Sequence, residues 1–346
     1  MGKISLLDCT LRDGGYLNDW RFGKEAILDT IGLLEKTAVE IIEVGFIRKE
    51  KYCEDRVVFD SMSRVKEVIR EKKKGVLYSV MGELLNPIPL ENIEPADKSG
   101  IDVIRMILWK SKKLPNGEVV DALEEGYEYC KGLVEKGYKL CIQPVRVNQY
   151  SDEEFVAMIK RFESLNPLAI YVVDSWGTDN PEDLLHYMRL ADLNMNAKTT
   201  LGYHGHNNMM HALAVAQEML RTRFDRDIII DASVYGIGRG AGNLNLEIIA
   251  KYLNEQYRKK YDLYPMITIY DRYISEIFEK EKWGYSIPFL ITSMYKANPR
   301  ITRYMVDELG LNNAQIKVVL DHLTDEQRII FSKATIDDCV KIYINN

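Results

Sequence analysis

Short runs of apolar and β-branched residues alternate along this chain with longer stretches in which apolar positions recur every three or four residues. The runs are Ile4–Thr10, Val39–Ile47, Gly75–Val80, Asp102–Trp109, Leu140–Val147, Ala169–Ser175, Thr199–His206 and Ile228–Tyr235. Runs of this length bounded by polar turns predict strands buried on both faces. The stretches between them, including Lys24–Lys36, Asp55–Lys73, Val119–Lys136, Asp152–Ser164, Pro181–Leu193 and Met209–Leu220, carry helical periodicity. Strands alternating with helices build right-handed βαβ units, and eight such units close a barrel. The pattern therefore predicts an α/β fold, a (β/α)8 TIM barrel. A doubly wound open sheet is the competitor, but the first loop, L-R-D-G-G-Y at 11–16, lacks a G-x-G-x-x-G turn.

Helix punctuation agrees with this division. Ser151-Asp152-Glu153-Glu154 and Asn180-Pro181-Glu182-Asp183 both read as capped helix starts with acidic first turns. After about Tyr261 the alternation stops and the pattern becomes mostly helical. The expected organisation is a catalytic barrel over 1–260 and a small helical C-terminal domain over 261–346, hinged at Tyr261–Pro265.

Composition narrows the class. With 346 residues, 46% of them hydrophobic and 28% charged, the chain can bury a large core and is expected to be globular. A net charge of −6 gives no support for a nucleic-acid partner. The five cysteines are dispersed without C-x-x-C spacing, which predicts reduced thiols and a cytoplasmic location. The N-terminal run is too short and too soon charged for a signal peptide, and no run approaches the roughly 18 apolar residues of a membrane span.

In a parallel barrel, chemistry is carried at the C-terminal ends of the strands. The first strand runs into Asp8-Cys9-Thr10-Leu11-Arg12-Asp13-Gly14-Gly15, where alternation would put Asp8, Thr10 and Arg12 on one face and the glycines would allow a tight turn. A charged Arg12–Asp13 pair there is either a structural ion pair or a ligand site. The seventh strand ends in His204-Gly205-His206, and imidazoles at i and i+2 on a strand point the same way. With a carboxylate from strand one, they form an open site suited to Mn²⁺, Mg²⁺, Co²⁺ or Zn²⁺. The glycine-rich segment 236–242 opens a helix, and is either an anion site, with Gly240 its substrate-binding candidate, or simply a tight turn. Arg105 and Gln143, on strands four and five, line the interior as substrate contacts or as core polar groups. Phe46–Arg56 is charged and is either a solvated loop or, through Arg48 and Lys51, an anion site.

Taken together, D-x-T-L-R-D-G at 8–14, H-x-H at 204–206 and G-x-G-x-G-A-G-N-x-x-L-E at 236–247 resemble the DRE-TIM metallolyase superfamily, nearest to its 4-hydroxy-2-oxovalerate aldolase and HMG-CoA lyase branches. The resemblance covers roughly residues 1–255, and Ile42-Glu43-Val44-Gly45 is similar to the family's acidic second-strand motif. It implies a divalent metal held by Asp13, His204 and His206, with Asn243 as a further ligand, and Arg12 stabilising an enolate oxygen. Glu43 joins the catalytic candidates. Asp174 and Ser175 fall where the family has a substrate-side motif. The aldolases carry a histidine base where this chain has Tyr16, and a phenol with a pKa near 10 is a poor base. Tyr285, in Trp283-Gly284-Tyr285-Ser286, resembles a second aldolase tyrosine. The aldolases' aldehyde dehydrogenase partner is not expected here, because the C-terminal segment differs; relatives of this kind are often dimers or larger, and the resemblance leaves the assembly open, a homodimer among the choices.

Cleaving a carbon–carbon bond beta to a carbonyl leaves an enolate, stabilised either by a Schiff-base lysine or by a Lewis-acid metal. Lys110 is the one plausible lysine, and the metal route is better supported. The expected function is a metal-dependent aldolase acting on a 4-hydroxy-2-oxo acid through a pyruvate enolate. The alternatives are a Claisen-type acyl-CoA lyase or synthase and a binding or regulatory barrel that has lost catalysis.

Overall fold

The computed structural model describes residues 2–113 and 119–344. Eight parallel strands make the barrel: β1 Ile4–Asp8, β2 Ile41–Ile47, β3 Leu77–Glu83, β4 Val103–Leu108, β5 Lys139–Pro144, β6 Ala169–Asp174, β7 Thr200–Gly205 and β8 Ile228–Ala232. They pair in chain order, and β1 closes the sheet by pairing with β8 along its length and with β2 at Leu7–Ile41 and Asp8–Ile42. The expected TIM barrel is the observed fold.

Strand alternation sorts the side chains. Val103, Cys141 and Ile229 join one apolar cluster inside the barrel, while their neighbours Ile104, Ile142 and Ile230 face the helices. Inside, an apolar layer of Leu7, Ile41, Val103, Cys141 and Ile229 lies at the bottom. Two residues further along three of the same strands come Glu43, Arg105 and Asp231, all fully buried. The open cavity lies above that charged layer. Tyr171 fills the barrel opposite Gly202, where an added Cβ would come within 2.3 Å of its ring.

Several boundaries differ from expectation, each for a local reason. The strand expected to end at Val80 continues to Glu83, paired with β4 up to Ile107. The helix expected over Asp55–Lys73 is confined to Met62–Val68, because Val58 and Phe59 pair with Phe46 and Ile47. Val119–Asp121 pairs antiparallel with Ser111–Lys113, so the next helix begins at Leu123. The cap at Ser151 forms a reciprocal box with Glu154, whereas Asn180 makes no side-chain cap and Pro181 opens that helix.

The C-terminal region is helical. Tyr261, Met266, Ile269, Ile274 and Trp283 belong to the barrel's core, and a second core gathers Ala297, Ile301, Met305, Ile316, Val319 and Leu320. Within the segment expected to hinge, the Tyr261 hydroxyl donates to Glu40 Oε2 at 2.9 Å and the Asp262 amide to Thr37 O at 2.9 Å. Among the described residues no helix is long and apolar enough to cross a membrane, and all five cysteines are free.

Candidate metal centre

The chain leaves β1 not as an extended strand but as a helical turn, Thr10–Gly14, so the expected alternation of Asp8, Thr10 and Arg12 ends at Asp8. Asp8 sets up this turn by accepting from the Thr10 amide (3.1 Å) and hydroxyl (2.6 Å), and the Thr10 oxygen accepts from the Val234 amide at 2.9 Å. The glycines that follow provide contact rather than an unusual turn. Gly15 keeps an ordinary φ of −60°, and a Cβ there would lie 1.9 Å from Trp20. Trp20 in turn donates to Arg12 O at 2.7 Å. The turn thus presents Asp13 to the barrel mouth.

There Asp13 meets the two imidazoles. Ligand atoms of Asp13, His204 and His206 all lie within 4.8 Å of one another, and all three residues are buried. His204 Nδ1 lies 2.9 Å from Asp231 Oδ2, and His206 Nδ1 lies 3.3 Å from Gly242 O. A carbonyl or an ionised carboxylate only accepts, so each Nδ1 carries the proton and each Nε2 keeps a lone pair for a cation. Burial pushes His206 down to about 3, with Asp13 opposing, so the ring is neutral and ready to ligate. Burial disfavours the Asp13 charge, yet the neighbouring Arg12 guanidinium outweighs it and holds that carboxyl well below its usual range. Asn243 donates through Nδ2 to Asp13 Oδ2 at 2.6 Å, while its buried Oδ1 has no partner.

A chain of buried charges connects these ligands from below. Arg12 pairs with Asp13 and, through Nε, with Glu43 at 2.7 Å; Arg105 pairs with Glu43 at 2.8 Å and with Asp231, which holds His204. Within this chain of contacts two guanidiniums face three carboxylates, a net charge of −1, with Arg239 a further cation that bears on Asp13 from the cavity wall. A divalent cation fits this donor set: an ionised carboxylate, two free Nε2 atoms and an orphaned amide oxygen. The glycine-rich loop leaves it room, since a Cβ on Gly238 would sit 2.3 Å from Asn243 Nδ2 and 2.6 Å from Asp13 Oδ2.

Above this centre opens a solvent-connected cavity lined by Arg12, Asp13, Tyr16, Met81, Glu83, Ile107, Trp109, Gln143, Val145, Val173, Ser175, His204, His206 and Arg239. Of the residues expected at the site, Tyr16, Gln143 and Ser175 therefore join Arg12 and the metal triad at its wall. Glu43 and Arg105 lie beneath, committed to the charge chain. Asp174 turns into its own loop, accepting from the Thr178 amide at 3.1 Å, and burial pushes its carboxyl up. Gly240 faces Asn208 and Pro299, and Tyr285 is half exposed, both away from the cavity wall. Lys110 is held by Gln149 O (3.0 Å) and Glu154 (2.6 Å) and does not line the cavity.

Sequence reasoning passed over Glu83, Trp109, Arg239 and Asp231. Arg239 hydrogen-bonds to Ser175 O at 2.7 Å and lies 5.1 Å from the Tyr16 ring centroid. Arg48 is not a solvated loop residue: it lies over the Trp20 (4.4 Å) and Phe46 (4.3 Å) rings and pairs with Glu83 at 3.4 Å. Asp231 had a signal, being a carboxylate inside an otherwise apolar strand, I-I-I-D-A.

Comparison with known proteins places this geometry in a family. Residues 3–271 match the model of the HMGL-like family. Oxaloacetate decarboxylase of Mycobacterium tuberculosis is 25% identical over 284 residues, 82% of this chain and 79% of the relative. A 4-hydroxy-2-oxovalerate aldolase of Geobacillus genomosp. 3 is 25% identical over 256 residues, 72% of this chain and 70% of the relative. In fold, the chain resembles the N-terminal domain of a candidate aldolase from Bacteroides vulgatus, with a TM-score of 0.70 at 21% identity over 89% of this chain and 97% of that one. With a match that spans the whole barrel and the start of the helical tail, the chain belongs to the HMGL-like family.

Proposed function

We propose that this protein is a divalent-metal-dependent carbon–carbon lyase that acts on 4-hydroxy-2-oxo acids and releases pyruvate. The observation that carries this reading is the convergence of Asp13, His204 and His206 beneath a cavity whose wall includes Arg12. Two imidazoles and a carboxylate suit Mn²⁺ or Mg²⁺, with Co²⁺ or Zn²⁺ as alternatives. Bound there, such a cation supplies Lewis acidity toward the 2-oxo oxygen of the substrate.

The chain's own residues supply the rest. Arg12 is fixed by Glu43 and Asp13, while its buried Nη2 has no partner, so it is a pre-set donor to an oxygen that gains charge as the bond breaks. Gln143 Nε2 is likewise buried and unpaired at the wall, suited to a substrate carboxylate oxygen. Met81, Ile107, Val145 and Val173 add apolar wall between these polar groups. Tyr16 is 37% exposed, and a phenol with an ordinary pKa near 10 stays protonated at neutral pH, which makes it a hydrogen-bond donor rather than a base.

A second reading, decarboxylation of oxaloacetate, is favoured by the similarity to the mycobacterial decarboxylase. It breaks the same bond, with carbon dioxide leaving in place of an aldehyde.

The test is a coupled assay for pyruvate with Mn²⁺-loaded protein and a panel of 4-hydroxy-2-oxo acids, repeated after chelation. Pyruvate release abolished by chelator is expected. Acetyl-CoA-dependent condensation without any cleavage of these acids would move the protein to the Claisen branch.

A further inference from the structure

Retro-aldol cleavage needs a group that takes a proton from the 4-hydroxyl and another, or the same one, that returns a proton to carbon 3. Among the titratable residues lining the cavity, Asp13, His204 and His206 form the cation site. Arg12 and Arg239 are guanidiniums, protonated at any working pH. Tyr16 is a phenol, protonated at neutral pH at its ordinary pKa of about 10. One carboxylate is left, Glu83.

Resting on the lyase reading above, we propose that Glu83 is the acid–base residue of this site, the proton carrier between the substrate hydroxyl and carbon 3. It ends β3 at the catalytic end of the barrel, and β3 is four strands from β7 in a closed ring of eight, so Glu83 faces the histidine pair across the cavity. A 2-oxo acid anchored on the β1–β7 side directs its fourth carbon toward β3. The Glu83 side chain is 14% exposed, and among the described residues its one ion pair is the long 3.4 Å contact to Arg48, with no hydrogen bond to either carboxylate oxygen. Arg48 packs over the mutually perpendicular Trp20 and Phe46 rings, and it positions Glu83 while leaving acceptor capacity open to the cavity. The groups that bear on its charge are consistent with this task. Burial pushes the carboxyl up and Glu50 adds to that, Arg48 opposes them, and the Tyr16 phenol lies close enough to feel it.

The step balances. Ionised Glu83 accepts the 4-hydroxyl proton; the O–H electron pair becomes the second bond of the aldehyde C=O; the C3–C4 pair moves into the enolate next to Arg12. Protonated Glu83 then delivers the same proton to carbon 3, giving pyruvate and regenerating its carboxylate.

The experiment compares wild type, Glu83→Gln, Glu83→Asp and Tyr16→Phe for bound Mn²⁺ per chain, pyruvate release across pH, and exchange of the pyruvate methyl protons in D₂O. Expected for Glu83→Gln is full Mn²⁺ content, cleavage reduced about 10²- to 10⁴-fold, loss of the wild type's fall in rate toward acid pH, and loss of methyl exchange. Glu83→Asp should regain part of the rate together with the acid limb, and Tyr16→Phe should keep the limb. The proposal is overturned if Glu83→Gln cleaves within tenfold of wild type. It is equally overturned if Glu83→Gln and Glu83→Asp both lose the metal, or if the limb disappears in Tyr16→Phe instead. Wild type that releases no pyruvate from any of these acids sinks the lyase reading itself, a result separate from all of these.

Discussion

His204 and Asp231 stand on neighbouring strands, β7 and β8, with Nδ1 2.9 Å from Oδ2, and that contact fixes which imidazole nitrogen faces Asp13. Asp231 keeps its charge because Arg105 and the His204 N–H together outweigh the cost of burial. Asp231→Asn keeps the shape but removes the charge that orients His204 and balances Arg105. A 10- to 100-fold loss of Mn²⁺ affinity is expected, measured by calorimetric titration on protein shown to be folded. Unchanged affinity would mean that the contact does not tune the centre.

Gly238 offers a steric test. Because its Cβ would fall within 2.6 Å of both Asp13 and Asn243, Gly238→Ala should displace one of them and sharply lower bound metal. Gly32, inside the helix Lys24–Leu34 with open space around it, is the control. Gly32→Ala should stabilise the fold by about 0.5–1 kcal/mol in urea melts. A Gly238→Ala protein with full metal content contradicts the packing described here.

Asp8 gives a pH dependence of defined sign. Burial pushes its carboxyl up to about 7 against the hydrogen bonds from Thr10, far above the unfolded value near 3.8. A raised folded pKa favours the folded state fully below pH 3.8, and that advantage disappears as pH rises through about 7. By pH 8 the lost contribution is on the order of 4 kcal/mol. Asp8→Asn, which can keep the Thr10 contacts, should flatten this part of the stability profile. Urea midpoints at pH 5 and pH 8 that shift equally in both proteins would refute the assignment.

Arg239 reaches the cavity with one neutral partner, Ser175 O, and a buried Nε that has none. A guanidinium left so open is suited to an oxygen of the substrate. Arg239→Met should raise KM for a 4-hydroxy-2-oxo acid about tenfold or more and leave thermal stability nearly unchanged. A fall in kcat at constant KM would assign the residue a different task.

What the sequence made legible follows its periodicities. Strands eight times over, and two histidines two residues apart, are read directly from the chain because a strand's period of two is rigid. Glu83 was hidden by a boundary: ending the third strand at Val80 leaves Met81-Gly82-Glu83 looking like a loop, whereas pairing with β4 carries the strand three residues further, to the mouth. Asp13 was expected at the mouth from its place after strand one; a helical turn presents it there, and the alternation expected for Asp8, Thr10 and Arg12 stops at Asp8. Arg105 and Asp231 show the limit of local pattern. Each is a charge in an apolar strand, and only closure of the barrel brings them together with Glu43, residues scattered across the chain. Gly14 and Gly15 looked like turn formers, yet their small size matters because Ile237 and Trp20 press against them.

Trp283, far along the chain, is pressed against the loop that surrounds the cation site. Its indole donates to Tyr235 O at 3.0 Å, and a Cβ on Gly242 would lie 2.8 Å from its ring. Gly242 also supplies the carbonyl that orients His206. The tail is thus a keystone for the imidazole furthest along β7, and sequence drift around Trp283 would retune the centre without altering a single ligand.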